Sequence, residues 1–171
     1  MNTKQYLAYQ AIGSVFVNSA IGLGFAWPLR HEPHIDVWGY PSVASDTLIS
    51  GFLLSVLTIV VGSLFVRLDM RLGRVKPLVQ TKPWASAPVG VWKRAAIFGP
   101  IFAIPSVLIA LAVLGAMGQP RLTFDAFLQF KLVFAAVLGM VVTPFNAQAV
   151  LAGFGTLGNV YTPAISANRR T

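Results

Sequence analysis

The densest group of side chains able to do chemistry is HEPHID, residues 31–36, which contains both histidines of the chain. Imidazole and carboxylate together suit zinc, nickel or copper, so His31, Glu32, His34 and Asp36 are the candidate metal ligands. Pro33 keeps the four off one rigid helical face, and a short hydrated loop carries the same residues without a metal. No resident cofactor is expected. A second pattern, Gly153, Gly155 and Gly158, has the G-x-G-x-x-G spacing of a dinucleotide loop. That loop must follow a strand and open a helix, whereas an apolar run precedes these glycines. A glycine-rich helix end followed by a tail is the expectation instead.

A third set consists of amides inside apolar runs: Asn18, Asn146 and Gln148, accompanied by Ser14, Ser55 and Thr58. In hydrocarbon such groups seek partners, and bonds between membrane helices contribute roughly 0.6 to 2 kcal/mol. Ser14, Asn18, Gly22 and Ala26 recur every four residues, and Ala136, Gly139, Thr143 and Asn146 nearly so, which places each set along one helical stripe. A stripe of this kind is either a packing seam or one wall of a substrate path. Counting about 1.5 Å per residue brings Asn18 and Asn146 to similar depths, so Asn18 is expected to face inward and meet Asn146 or Gln148.

What is missing narrows the chemistry further. The chain has no cysteine, which removes disulfides, thiolate metal sites and thiol redox chemistry. Its apolar runs contain no charge, which argues against a proton-coupled carrier built on a membrane-embedded glutamate. They contain no histidine either, so neither a haem-ligating bundle nor an intramembrane serine protease has its residues. No enzymatic activity is expected.

The elements that must hold these residues follow from composition. Hydrophobic residues make up 56% and charged residues 11%, the latter about half the usual share, so water is not the main solvent. Charge-free runs cover residues 5–29, 47–66, 95–120 and 132–168. About 20 helical residues cross a hydrocarbon layer of roughly 30 Å. The sequence therefore predicts an all-α integral membrane four-helix bundle in a single domain, with spans at about 6–27, 47–66, 95–117 and 132–154. The first run continues too far, without a good cleavage site, to be a signal peptide.

Seven Lys and Arg lie in the connection 67–94. With Lys4, Arg169 and Arg170 they make ten on one side, against Arg30, Arg121 and Lys131 on the other. Positive residues stay cytoplasmic, so both termini are expected inside and residues 29–45 form an outer loop. Trp27 and Trp38 fall at outer span ends, and Trp84 and Trp92 in the inner connection, as an interfacial aromatic belt requires. The helix of the second span is expected to run on through Arg74 until Gly73 and Pro77 stop it, with a Pro-rich linker after Lys76. Residues 122–130 read as an interfacial lead into the fourth span. Pro100, Pro105 and Pro144 are expected to kink the later spans. Asp46, just after Ser45, is expected to cap the second helix. The net charge of +8 is explained by topology rather than nucleic acid, and anionic lipid is its natural partner.

Two internal likenesses remain. SVLTIVVG at 55–62 aligns with AVLGMVVT at 136–143, and Asp46 and Asp125 precede the even-numbered spans, which suggests a parallel two-fold repeat. The stretch from Trp38 and Gly39 through PSVASDTLISGFLLSVLT, with Asn18 before it and a basic stretch after, resembles small bacterial inner-membrane proteins of unknown function labelled permease-like. The resemblance covers roughly the first 75 residues and rests on Ser45, Asp46 and Gly51. It implies the cell inner membrane as location and carries no substrate or functional residue. A permease-like or transport component acting as an oligomer is the expected function. The alternative is a non-transporting membrane module that binds a partner protein, lipid or metal ion.

Overall fold

The computed structural model describes residues 2–78 and 90–161, with residues 154–161 by backbone alone. Lys82, Trp84, the tail with Arg169 and Arg170, and most of the expected Pro-rich linker lie outside the described residues. Four helices dominate: α1 Thr3–Ala26, α2 Val43–Arg71, α3 Val91–Met117 and α4 Phe124–Tyr161. All four are long and apolar enough to cross a membrane, and the chain is an all-α, multi-pass membrane bundle.

Local chemistry sets the helix ends. Asn2 Oδ1 accepts from the backbone of Lys4 and Gln5 while the Gln5 side chain accepts from Asn2 N–H, a reciprocal box that opens α1. Ser42 and Ser45 do the same for α2. At the far end of α2, Gly73 takes a positive φ of 69°, where a Cβ would be strained, and the helix stops as expected. Helices α3 and α4 run unbroken through Pro100, Pro105 and Pro144.

The helices extend past the expected spans, most at the starts of α2 and α4. Helix α2 begins at Val43 rather than 47, and α4 begins at Phe124 rather than 132. The expected limits followed the nearest charge, but a charge that finds a partner does not end a helix. At 29 residues α2 measures about 43 Å, more than the hydrocarbon needs, so its basic last turns project beyond it.

Helices α2 and α4 pack together at the centre, α1 lies along α4, and α3 lies along α2. Exchanging the two halves of the chain maps this pattern onto itself. The exchange also relates β1 His34–Asp36 to β2 Arg121–Thr123, a short antiparallel pair joining Ile35 to Leu122 across one end of the bundle. This ribbon was not foreseen. Its buried Ile35 and Leu122 sit on Val37, Leu114 and Phe127, closing that end of the core. Around the girth, Phe16, Ile109 and Val133 are each more than 60% exposed, an outward apolar surface suited to lipid.

Candidate functional site

Helix α4 carries Lys131 on the face turned to α1 and α2, and the side chain is 0% exposed. Its Nζ donates to Asp46 Oδ2 and, at 2.7 Å, to Ser50 Oγ. Asp46 and Ser50 lie one turn apart on α2, which aims both at the same point of α4. The rings of Phe25 and Phe127 lie 5.9 and 5.8 Å from Nζ, so the ammonium sits between an anion and two π faces. The Asp46 carboxylate does not cap α2. Ser42 and Ser45 already hold the free N–H groups, which releases Asp46 to pair with Lys131.

Above this pair is a cavity of about 660 Å³ lined by Glu32, His34, Asp36, Trp38, Tyr40 and Asp46. Asp46, with its side chain 21% exposed, is the charge in its wall that also touches the bundle interior. Three of the four candidate metal ligands thus reach one cavity. Among the described residues no three His, Asp or Glu side chains are placed together to hold an ion. In β1 the alternation turns Ile35 inward and leaves His34 and Asp36 exposed. Asp36 Oδ1 accepts from Arg121 Nε at 2.7 Å instead, and His31 lies exposed before the strand.

Two layers of amide and hydroxyl groups continue from this pair toward the other end. In the first, Asn18 Oδ1 accepts from Thr58 Oγ1 of α2 at 2.6 Å, and its Nδ2 donates to Ser14 O at 2.9 Å. Asn18 faces inward as expected, but its partner is α2. It meets α4 at Gly139, where any Cβ would collide with the amide nitrogen. In the second layer Asn146 Nδ2 donates to Ile59 O at 3.0 Å, and Ser63 Oγ lies 3.2 Å from Asn146 Oδ1. The expected contact of Asn18 with Asn146 or Gln148 is absent, because those positions lie two turns or more beyond Gly139 on α4. Gln148 is half-buried and makes no side-chain hydrogen bond to a described residue.

At the basic end, Asp69 gathers three donors: Tyr6 Oη, Gln10 Nε2 and Arg74 Nη1, each at 3.1 Å. From this cluster a cleft of about 480 Å³ runs between α1 and α2 back to Asn18 and Thr58. Its walls include Ile12, Phe16, Leu57 and Phe65, so it is apolar along its sides and polar at its floor and end. Thr143 of α4 also lines it, and the Thr143 hydroxyl is buried without a hydrogen-bond partner among the described residues. A buried hydroxyl in that condition costs roughly 1 to 3 kcal/mol unless something binds it.

One polar seam therefore joins Asp46, Lys131, Ser50, Thr58, Asn18 and Asp69 along the meeting line of α1, α2 and α4. Sequence reasoning found its middle and missed its charged ends. A usable signal was present at Lys131, since Phe124, Phe127, Phe130 and Phe134 continue a helical apolar stripe straight through it. The glycines 153, 155 and 158 lie inside α4, so helix rather than the strand that a dinucleotide loop requires runs directly up to them. No protein-family model, curated protein or solved structure matches the chain.

Proposed function

We propose that the chain is a permease-like component of the cell inner membrane that passes a small cationic solute along the α1–α2–α4 seam, acting as an oligomer. The observation that carries this reading is the Asp46–Lys131 pair, a charge set into a span whose anionic member faces an acid-lined cavity. Ionisable groups inside spans are costly and mark solute paths more often than packing. Glu32, Asp36 and Asp46 bring three carboxylates to the cavity wall, the last two shared with Arg121 and Lys131, and Asp69, shared with Arg74, offers the next carboxylate at the far end of the cleft. Helices α1 and α2 touch sparsely, so the cleft opens sideways, and a second copy would close it. Binding and release suffice for this role, without a catalytic step. Ten Lys and Arg on the basic side favour both termini in the cytoplasm. An alkaline phosphatase fused after Thr171 should be inactive, and an active fusion would reverse the orientation.

The function is tested in liposomes holding the purified protein, with an interior-negative potential and labelled methylammonium outside. Uptake should exceed that of protein-free liposomes and should fall to their level in Asp46→Asn and in the paired variant Asp46→Asn/Lys131→Met, both at intact folded yield. Equal uptake in all four preparations contradicts transport. Stable co-purification of a second membrane protein without flux would instead favour a non-transporting module that binds a protein partner.

A further inference from the structure

Arg94 lies one turn inside α3 at the basic end of the bundle, and it is the largest fully buried side chain among the described residues, 1% exposed. Its Nε and Nη2 have no hydrogen-bond partner among the described residues. These two nitrogens share one edge of the planar guanidinium and present parallel N–H bonds, the geometry that grips two oxygens of a carboxylate or phosphate at once.

The chain cannot supply that partner from its own acidic side chains, of which it has five. Asp36 bonds Arg121, Asp46 bonds Lys131, and Asp69 is taken by Tyr6, Gln10 and Arg74. Glu32 lies in the connection from α1 to α2 and Asp125 in the first turn of α4, both at the opposite end from the start of α3. Arg67 of α2 is close enough for its charge to act on Arg94. Helix α3 adds to the demand for an anion: it begins at Gly90 with no side-chain cap and no acid in its first turn.

We infer that Arg94 forms an oxyanion site for a phosphate group, received from the head group of an anionic phospholipid in the adjoining leaflet. The position suits a lipid because α3 enters the apolar layer here, with Trp92 75% exposed in the same turn at the interfacial depth. This site is separate from the α1–α2–α4 seam and stands whether or not the chain transports a solute.

Native mass spectrometry of the full chain in detergent, titrated with phosphatidylglycerol, phosphatidylcholine or inorganic phosphate, reads the site directly. Phosphatidylglycerol should bind, and Arg94→Gln should weaken it by about tenfold or more, as loss of a bidentate charged pair implies. Arg94→Lys keeps the charge but not the paired edge and should give an intermediate loss, which serves where Arg94→Gln does not fold. Lys93→Gln, an exposed charge removed one residue away, should leave binding within about twofold. Competition of inorganic phosphate at equal concentration would make the free anion the ligand and overturn the lipid source. Unchanged phosphatidylglycerol binding in both Arg94 variants, or equal loss in Lys93→Gln, would overturn the site.

Discussion

Two helix contacts of similar extent are built from opposite materials. Between α2 and α3 the groove is lined by Leu48, Phe52, Leu53, Val107 and Leu108 without a polar atom, and Gly51 lets Val107 approach so closely that an added Cβ would lie 2.6 Å from it. Between α2, α4 and α1 the contact is a line of ion pair, hydroxyls and amides. Lipid competes as well as a leucine for apolar surface, so the first contact depends on close fit and dispersion. The second contains groups that hydrocarbon penalises when unpaired, so its geometry is fixed by partners. The α2–α3 contact shows that close apolar fit suffices to join two of these helices.

The largest expected effect comes from splitting the buried pair. Asp46→Leu should destabilise the folded protein in detergent by about 3 to 5 kcal/mol, because it leaves Lys131 buried with its charge uncompensated. Asp46→Leu/Lys131→Met should recover most of that loss. Unfolding titrations of the three proteins check this, and equal loss in single and double variants would break the pairing. Next comes the apolar contact: Gly51→Val should cost about 1 to 3 kcal/mol by forcing Val107 away, with partial rescue by Val107→Ala. Failure of the rescue would mean that α3 is not held by fit at this point.

Asn18→Leu should cost about 1 kcal/mol, with less than additive loss on adding Thr58→Val and additive loss on adding Asn146→Leu. The reverse pattern would assign Asn18 to α4. The smallest effect belongs to the exposed pair: Arg121→Gln should change stability by about 0.5 kcal/mol or less, since both side chains of Asp36–Arg121 are more than half exposed. A loss as large as that of Asp46→Leu would show that the contrast between buried and exposed pairs does not hold here.

The same contrast explains what the sequence conveyed. The apolar lengths reveal the four helices, and the stripe Ser14, Asn18, Gly22 and Ala26 reveals the face of α1 that packs inward, because both signals are periodic and local. Lys131 and Asp46 stayed hidden because a charge beside an apolar run is the usual sign of a membrane boundary, and only a partner 85 residues away makes it an interior group. The antiparallel pair β1–β2 was hidden for a related reason: three residues carry no period, and the register depends on two connections meeting at one end of the bundle. HEPHID reads differently. Residue types suited to a metal lie together in sequence, and Glu32, His34 and Asp36 line one cavity, yet Asp36 is held by Arg121 and no three of these groups meet at one point among the described residues.

Under the proposed transport, solute and water enter the polar seam while the apolar contact stays dry. The chain contains no cysteine, so single-cysteine variants can be read without background. Thr58→Cys, Thr143→Cys and, as the apolar reference, Val107→Cys are treated in native membranes with a membrane-impermeant cationic thiol reagent. Modification of the first two, with Val107→Cys unreacted, is the expected result. Protection of Thr58→Cys and Thr143→Cys equal to that of Val107→Cys would make the seam a packing device and contradict a path through it.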